Sequence, residues 1–332
     1  MVVIIYIIVS KLGFNFSLLL SANTMKTILK YLKDFWKIDF DPPVYLLTIL
    51  GLSVAIFFNY KYDFEDSILD SYYKQNIYFF YSFLYYGAAY YYVIALYLIF
   101  KRDIPKLKTR AFWISSLFFI GLLSFKSFFW WGTNWIPKGL PRADHYFYTK
   151  TILASKTVII HTIGLVLFYK TIEKVKSNWY GLTTPDFNWR PYALMLLIMV
   201  PLIGFASTQP DFLASYPKLK MAYFKESYWS YFMTYEPVYL MGFVMVEWLF
   251  RGFLVIGMVH LLGHRAILPA AALYCTFHFG KPAGECISSF FGGYILGVFA
   301  YYSKSIWGGI IVHMGIALMM DLGAVLGKWL GY

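Results

Sequence analysis

Long apolar stretches recur along the chain at about 44–60, 77–100, 111–131, 151–169, 191–206, 236–259, 266–279, 286–302 and 305–327, separated by short polar connections. Their length suits membrane helices of about 20 residues rather than barrel strands, which alternate over about ten. The pattern therefore predicts an all-α polytopic transmembrane bundle of about 9–10 helices, the tenth being residues 1–22, apolar apart from Lys11. Segment 266–279 is short for a span, which predicts a tilted or cavity-lining helix. Residues 1–22 end in Ser-Ala-Asn and also read as a signal-like segment. In a third reading the chain starts at Met25, and the residues before it are an over-extended reading frame. From Met25 the run Met-Lys-Thr-Ile-Leu-Lys-Tyr-Leu-Lys-Asp-Phe-Trp-Lys is basic and amphipathic, which sets its lysines and Trp36 at a membrane interface. The expected organisation is 1–24 as an N-terminal apolar segment, 25–235 as scaffold helices and 236–327 as the helices that carry chemistry.

With 60% apolar and 22% aromatic residues, the composition excludes a soluble globular domain. A net charge of +12 raises nucleic acid as a partner, but the Lys and Arg residues gather in the short loops, where membrane topology places them. The expected partners are accordingly membrane lipid and a protein or peptide substrate, with no nucleic acid. Placing the Met25 region inside puts 101–110, 170–190, His264-Arg265 and Lys304 inside, and leaves 61–74, 132–149, 207–235 and 280–285 outside. The tyrosine-rich run at 78–86 reads as interfacial and packing aromatics. Lys126, Lys156 and His161 fall in or near apolar segments, where long lysine stems reach the headgroups. The two cysteines, Cys275 and Cys286, make neither a disulfide framework nor a metal pattern. The 207–235 loop, the longest connection, is placed to cap a site.

The chemistry concentrates between Glu236 and Asp321. Glu247 and Arg251 are one helical turn apart, and an ionised pair at bilayer depth marks a functional site by default. The alternative is a buried salt bridge that fixes helix packing. His278 precedes Gly-Lys-Pro at the end of one apolar segment, and His313 lies within another. Glu236 stands three turns before Glu247, on one side of the helix, or else opens the helix before Pro237 and complements its dipole. Glu285 opens the next segment, as an auxiliary carboxylate or as a cap. Asp321, two turns beyond His313, either faces the same polar centre or lies near the membrane edge. His260 and His264 have metal-ligand spacing but no nearby carboxylate. There is no His-Glu-x-x-His and no Gly-x-Ser-x-Gly motif.

Val246-Glu247-x-x-x-Arg251-Gly252, Tyr274-x-x-x-His278 and His313-x-x-x-Ala317 together resemble the CAAX-protease and bacteriocin-processing (Abi) family of intramembrane endopeptidases. That family carries Glu-Glu-x-x-x-Arg, Phe-x-x-x-His and His-x-x-x-Asn or Asp on successive helices. The resemblance implies a peptidase with Glu247, Arg251, His278 and His313 as catalytic residues, and a bacterial-type, multi-pass protein of the inner membrane. Val246 stands where the family has its first glutamate, and Ala317 where it has a polar residue. Glu236, Glu285 and Asp321 are the candidate auxiliaries for those two losses.

The expected function is hydrolysis of a peptide bond in a membrane-associated substrate. Glu247 is the base, Arg251 orients it, His278 shares activation of the water and His313 donates to the oxyanion. No cofactor is expected, although Glu247, His278 and His313 also have the composition of a three-ligand zinc site. Two rival classes are a non-catalytic membrane scaffold, suggested by Val246 and Ala317, and a proton-coupled transporter, which the lack of a second set of broken segments disfavours.

Overall fold

The computed structural model describes residues 22–104, 106–173, 178–183 and 187–332. The expectations for residues 1–21 lie outside the described residues. The described residues are 81% helical with no strand among them, so the bundle is all-α as the apolar pattern predicts. Each of the nine apolar segments is helical, and seven of the described helices are long and apolar enough to cross a membrane. The protein is an integral multi-pass membrane protein.

In chain order, α1 (Ala22–Asp39) is the basic amphipathic helix, followed by α2 (Pro42–Tyr62), α3 (Ile77–Ile99), α4 (Arg110–Phe128) and α5 (Arg142–Thr171). Then come α6 (Arg190–Ala206), the short α7 (Pro210–Ser215) and α8 (Tyr228–Glu247), which runs into a π-helix at Trp248–Gly257. The turn α9 (Val259–Leu262) leads to α10 (Ile267–Thr276), and α11 (Ala283–Ser303) and α12 (Trp307–Trp329) finish the bundle. Prolines stand at the starts of α2, α6 and α7, where the missing N–H is already spare.

Two elements occupy the centre. All ten residues of the π-helix and all ten of α10 are buried, and α10 packs against α2, α3, α11 and the π-helix. A ten-residue helix cannot span a bilayer. It is stable at membrane depth because protein surrounds it, leaving none of its side chains to lipid. Around the pair, Phe119 meets Phe250 and Phe253, while Phe168 and Tyr180 each set an edge against Phe253. The outer helices show the opposite pattern, with Leu46, Leu84, Ile99 and Phe205 largely exposed. An apolar girdle of that extent needs lipid as its neighbour.

One expectation about a helix end changes. Glu236 does not open a helix, because α8 begins at Tyr228 and Pro237 lies inside it; the first turns are held by packing of Tyr228, Phe232 and Tyr235. Asp321 is fully buried within α12.

Candidate active site

Glu247 is the last residue of α8, where the backbone changes from α to π winding. Its carboxylate is fully buried, and its Oε1 lies 3.1 Å from Nη1 of Arg251 and 2.9 Å from Nδ1 of His313 on α12. The four-residue spacing thus forms the expected pair even though the turn between them is π-wound. Such wide turns often occur at functional sites. Gly308 and Gly309 permit the approach of α12: a Cβ on Gly309 would overlap Oε2 of Glu247, and one on Gly308 would overlap the Tyr192 ring.

His313 is held from both sides. A carboxylate only accepts, so Nδ1–H donates to Glu247, and Nε2 is then the acceptor for the Tyr274 hydroxyl at 3.1 Å. Phe243 packs on the imidazole with ring centroids 4.5 Å apart. His278 follows the end of α10 and donates Nδ1–H to the Tyr274 carbonyl at 2.9 Å, which leaves Nε2 as its free acceptor. The Arg251 guanidinium lies over the Tyr274 ring, 4.3 Å from the centroid. Apart from the ion pair through Nη1, its Nε and Nη2 have no protein hydrogen-bond acceptor, and Oε2 of Glu247 has no protein donor. The site therefore holds unspent donors and an unspent carboxylate oxygen in a buried setting, where unpaired polar groups are costly unless something else pairs them.

The segment carrying His278 is clamped by helices of the first half. Asn59 Nδ2 donates to the Phe279 carbonyl at 3.1 Å, and the Tyr60 hydroxyl to that of Lys281 at 2.6 Å. Tyr85 donates to the Thr276 carbonyl at 3.1 Å. Part of the tyrosine-rich 78–86 run is therefore turned inward, beyond the expected interfacial role. Glu65, which follows α2, packs against Gly280, and burial pushes its carboxyl up to about 8.

Glu236 and Asp321 form a separate pair, whereas Glu285 interacts electrostatically with His278. Asp321 lies eight residues past His313, roughly 12 Å along α12 at 1.5 Å per residue. It accepts from the Lys218 backbone N–H at 2.9 Å, and the Glu236 carboxyl lies against it as a side-chain hydrogen-bond neighbour. Glu285 accepts from the Tyr216 hydroxyl at 2.8 Å and sits 3.7 Å from Lys281 Nζ, so it is more than a helix cap. Glu236 and Asp321 are thus not brought to Glu247, and Val246 and Ala317 are simply buried apolar residues. Tyr216 and Lys218 come from the connection after α6, which caps this end of the bundle as its length suggests. Burial, with the neighbouring Lys281, pulls the Lys218 amine down to about 6.

Among the described residues, the one group of three metal-type ligand atoms within 4.8 Å of one another is Glu65, Asp66 and Asp70. Glu247, His278 and His313 are not among such groups, and His313 Nδ1 meets Glu247 itself. His260 bonds the Gly257 carbonyl at 2.7 Å and His264 approaches Asp39, so these two do not form a pair of ligands either. Lys156 donates to the Phe129 carbonyl, whereas fully buried His161 has no protein partner on either nitrogen, for which we have no physical account.

Sequence reasoning missed Asn59, Tyr60, Tyr85 and Tyr216, whose roles arise from contacts across long stretches of chain. Tyr274 carried one signal, since a tyrosine in a wholly apolar run must find a partner for its hydroxyl.

Ionisable groups gathered from several C-terminal elements of a membrane bundle are in keeping with the general class of CAAX-type intramembrane proteases. Residues 228–319 match the family described as type II CAAX prenyl endopeptidase Rce1-like, a protease family, so the resemblance read from the motifs is to that family. Neither a curated protein nor a solved structure matches the chain.

Proposed function

We propose that the protein is an intramembrane endopeptidase in which Glu247 activates water for attack on a peptide bond of a membrane-associated protein or peptide. The observation that carries this reading is the buried Glu247 carboxylate, fixed through Oε1 by Arg251 and His313 while Oε2 has no protein partner. Glu247 takes a proton as the water oxygen adds to the scissile carbonyl, and gives it to the departing amine as the C–N bond breaks. His278, with its acceptor Nε2, shares the orientation of the water. Both nitrogens of His313 are engaged within the protein, which favours a role in holding Glu247 over donation to the oxyanion. Arg251 retains free N–H donors, and the geometry favours it for charge developing on the carbonyl oxygen. The reaction proposed needs no metal.

A second reading has its own observation: Glu247 is fully buried and already ion-paired, as in a structural salt bridge of a scaffold protein. The test uses a peptide first established as cleaved by wild-type protein in proteoliposomes. Glu247→Gln, His278→Ala and His313→Ala are assayed for cleavage and for thermal stability. General-base loss is expected to lower the rate by about 10² to 10⁴ for Glu247→Gln with the fold retained. A structural pair instead costs about 3–5 kcal/mol when broken, because Arg251 is left uncompensated. Equal cleavage by wild type and Glu247→Gln would sink the proposal, and cleavage abolished by chelator and restored by zinc would overturn its metal-free form.

A further inference from the structure

Tyr274 is the one residue in contact with every other polar group of the site except Glu247. Its ring lies under the Arg251 guanidinium, its hydroxyl meets Nε2 of His313, and its carbonyl accepts from Nδ1 of His278. These three contacts come from three parts of one residue on α10, and they reach the π-helix, α12 and the segment after α10. Tyr274 is itself held on both faces. Phe250 meets its ring edge-on at 5.0 Å, and Gly293 of α11 leaves room for it, since a Cβ there would stand 3.0 Å from Cδ1. With the side chain 5% exposed and wedged between α10 and α11, the hydroxyl has little freedom to seek water.

We infer that Tyr274 is a positioning residue whose hydroxyl, donated to Nε2 of His313, locks the imidazole in the tautomer that presents Nδ1–H to Glu247. This rests on the reading of Glu247 as the base. An imidazole with one bonded nitrogen can rotate about that bond or flip its ring. Bonded at both, it holds a single orientation, and the carboxylate oxygen it grips is held with it. The free Oε2 is then presented in one direction, which is what a base needs in order to meet a water at a fixed angle. Arg251 gains from the same residue, because stacking on the ring fixes the plane of the guanidinium.

The test is Tyr274→Phe, which keeps the ring, the stack on Arg251 and the backbone carbonyl, and removes only the hydroxyl. Full-length protein labelled with ¹⁵N-histidine is examined in detergent or nanodiscs, the His313 signals being assigned by their loss in His313→Gln. Wild type is expected to show a protonated Nδ1 and a non-protonated, hydrogen-bonded Nε2. In Tyr274→Phe the Nε2 resonance is expected to leave the hydrogen-bonded position. On the established peptide kcat should fall roughly tenfold to a hundredfold with KM within about twofold, the pattern of a group that orients and does not bind. An unchanged Nε2 resonance in folded Tyr274→Phe, or a shifted resonance with unchanged kcat, overturns the inference. So does a wild-type spectrum with protonated Nε2 and bare Nδ1, which requires no variant to fold. The spectra report on geometry whether or not cleavage depends on Glu247. Full activity of Glu247→Gln therefore removes the functional reading, while an unaltered Tyr274→Phe spectrum removes this one.

Discussion

Glu247 can approach α12 as closely as it does because residue 309 has no side chain. Gly309→Ala adds one methyl group where Oε2 lies, so either the carboxylate or the helix has to move. Overpacking of this kind costs about 1–3 kcal/mol, which a bundle of this size can absorb. Activity is more sensitive, since displacement of a reacting group by about 1 Å can cost about a hundredfold. The expected outcome for Gly309→Ala is an unchanged helical circular dichroism spectrum with cleavage lowered by roughly two orders of magnitude. Near-normal cleavage would mean that Glu247 does not act from the position described. The same reasoning separates the two histidines. His278 keeps a free acceptor and His313 keeps none, although in the sequence both are lone histidines in apolar runs.

At the level of elements, the site depends on parts of the chain that carry no motif. The segment from Phe277 to Pro282 has no helix of its own to fix it; its Phe279 and Lys281 carbonyls are taken by Asn59 and Tyr60 of α2, and Tyr85 of α3 takes that of Thr276 just before it. Asn59 is 5% exposed and does double duty, donating to Phe279 and accepting from the Glu65 N–H at 3.0 Å. Asn59→Ala leaves both backbone groups without that partner, and an unsatisfied buried group costs about 1–3 kcal/mol. A lowered melting temperature together with reduced cleavage is expected, because the His278 imidazole is carried on the segment released. Stability lost with cleavage intact would show that the clamp does not govern His278. The π-helix makes a comparable point, since its wide turn arises where the chain packs against Tyr180: a Cβ on Gly252 would lie 2.7 Å from the Tyr180 carbonyl oxygen.

Over the whole molecule, contacts join loops that alternate between the two ends of the bundle, as short connections between spans require. Lys106 N–H donates to Leu261 and Ile306 N–H to Gly181 at one end, while Asn59, Tyr60 and Tyr216 bind the 277–285 region at the other. The cap over that second end has a pH dependence. Lys218, its amine pulled from 10.5 to about 6 by burial and by Lys281, binds fewer protons when folded than when unfolded between those values. Stability from this group therefore rises with pH across that window, and below about 6 the full penalty of a buried ammonium applies. Lys218→Met is expected to raise the melting temperature most below pH 6, with the gain shrinking toward pH 10. A gain that grows with pH would contradict this account of the cap.

The sequence by itself determined the membrane class, the helical pattern and the Glu247–Arg251 pair, because apolar run length and one-turn spacing are local properties of a chain. It also marked the 207–235 connection as a cap, since a loop of that length has to lie over something. The grouping of the carboxylates was decided only by the tertiary structure. Glu236 and Glu247 share a helix, yet one packs beside Asp321 and the other binds His313, because the partner helix offers a different residue at each depth. The link from Tyr274 to His313 and the clamp from Asn59 to Phe279 join positions 39 and 220 residues apart, where no spacing rule reaches. Which polar group meets which is set by how helices dock, and docking is decided by the apolar surfaces between them rather than by the polar residues themselves.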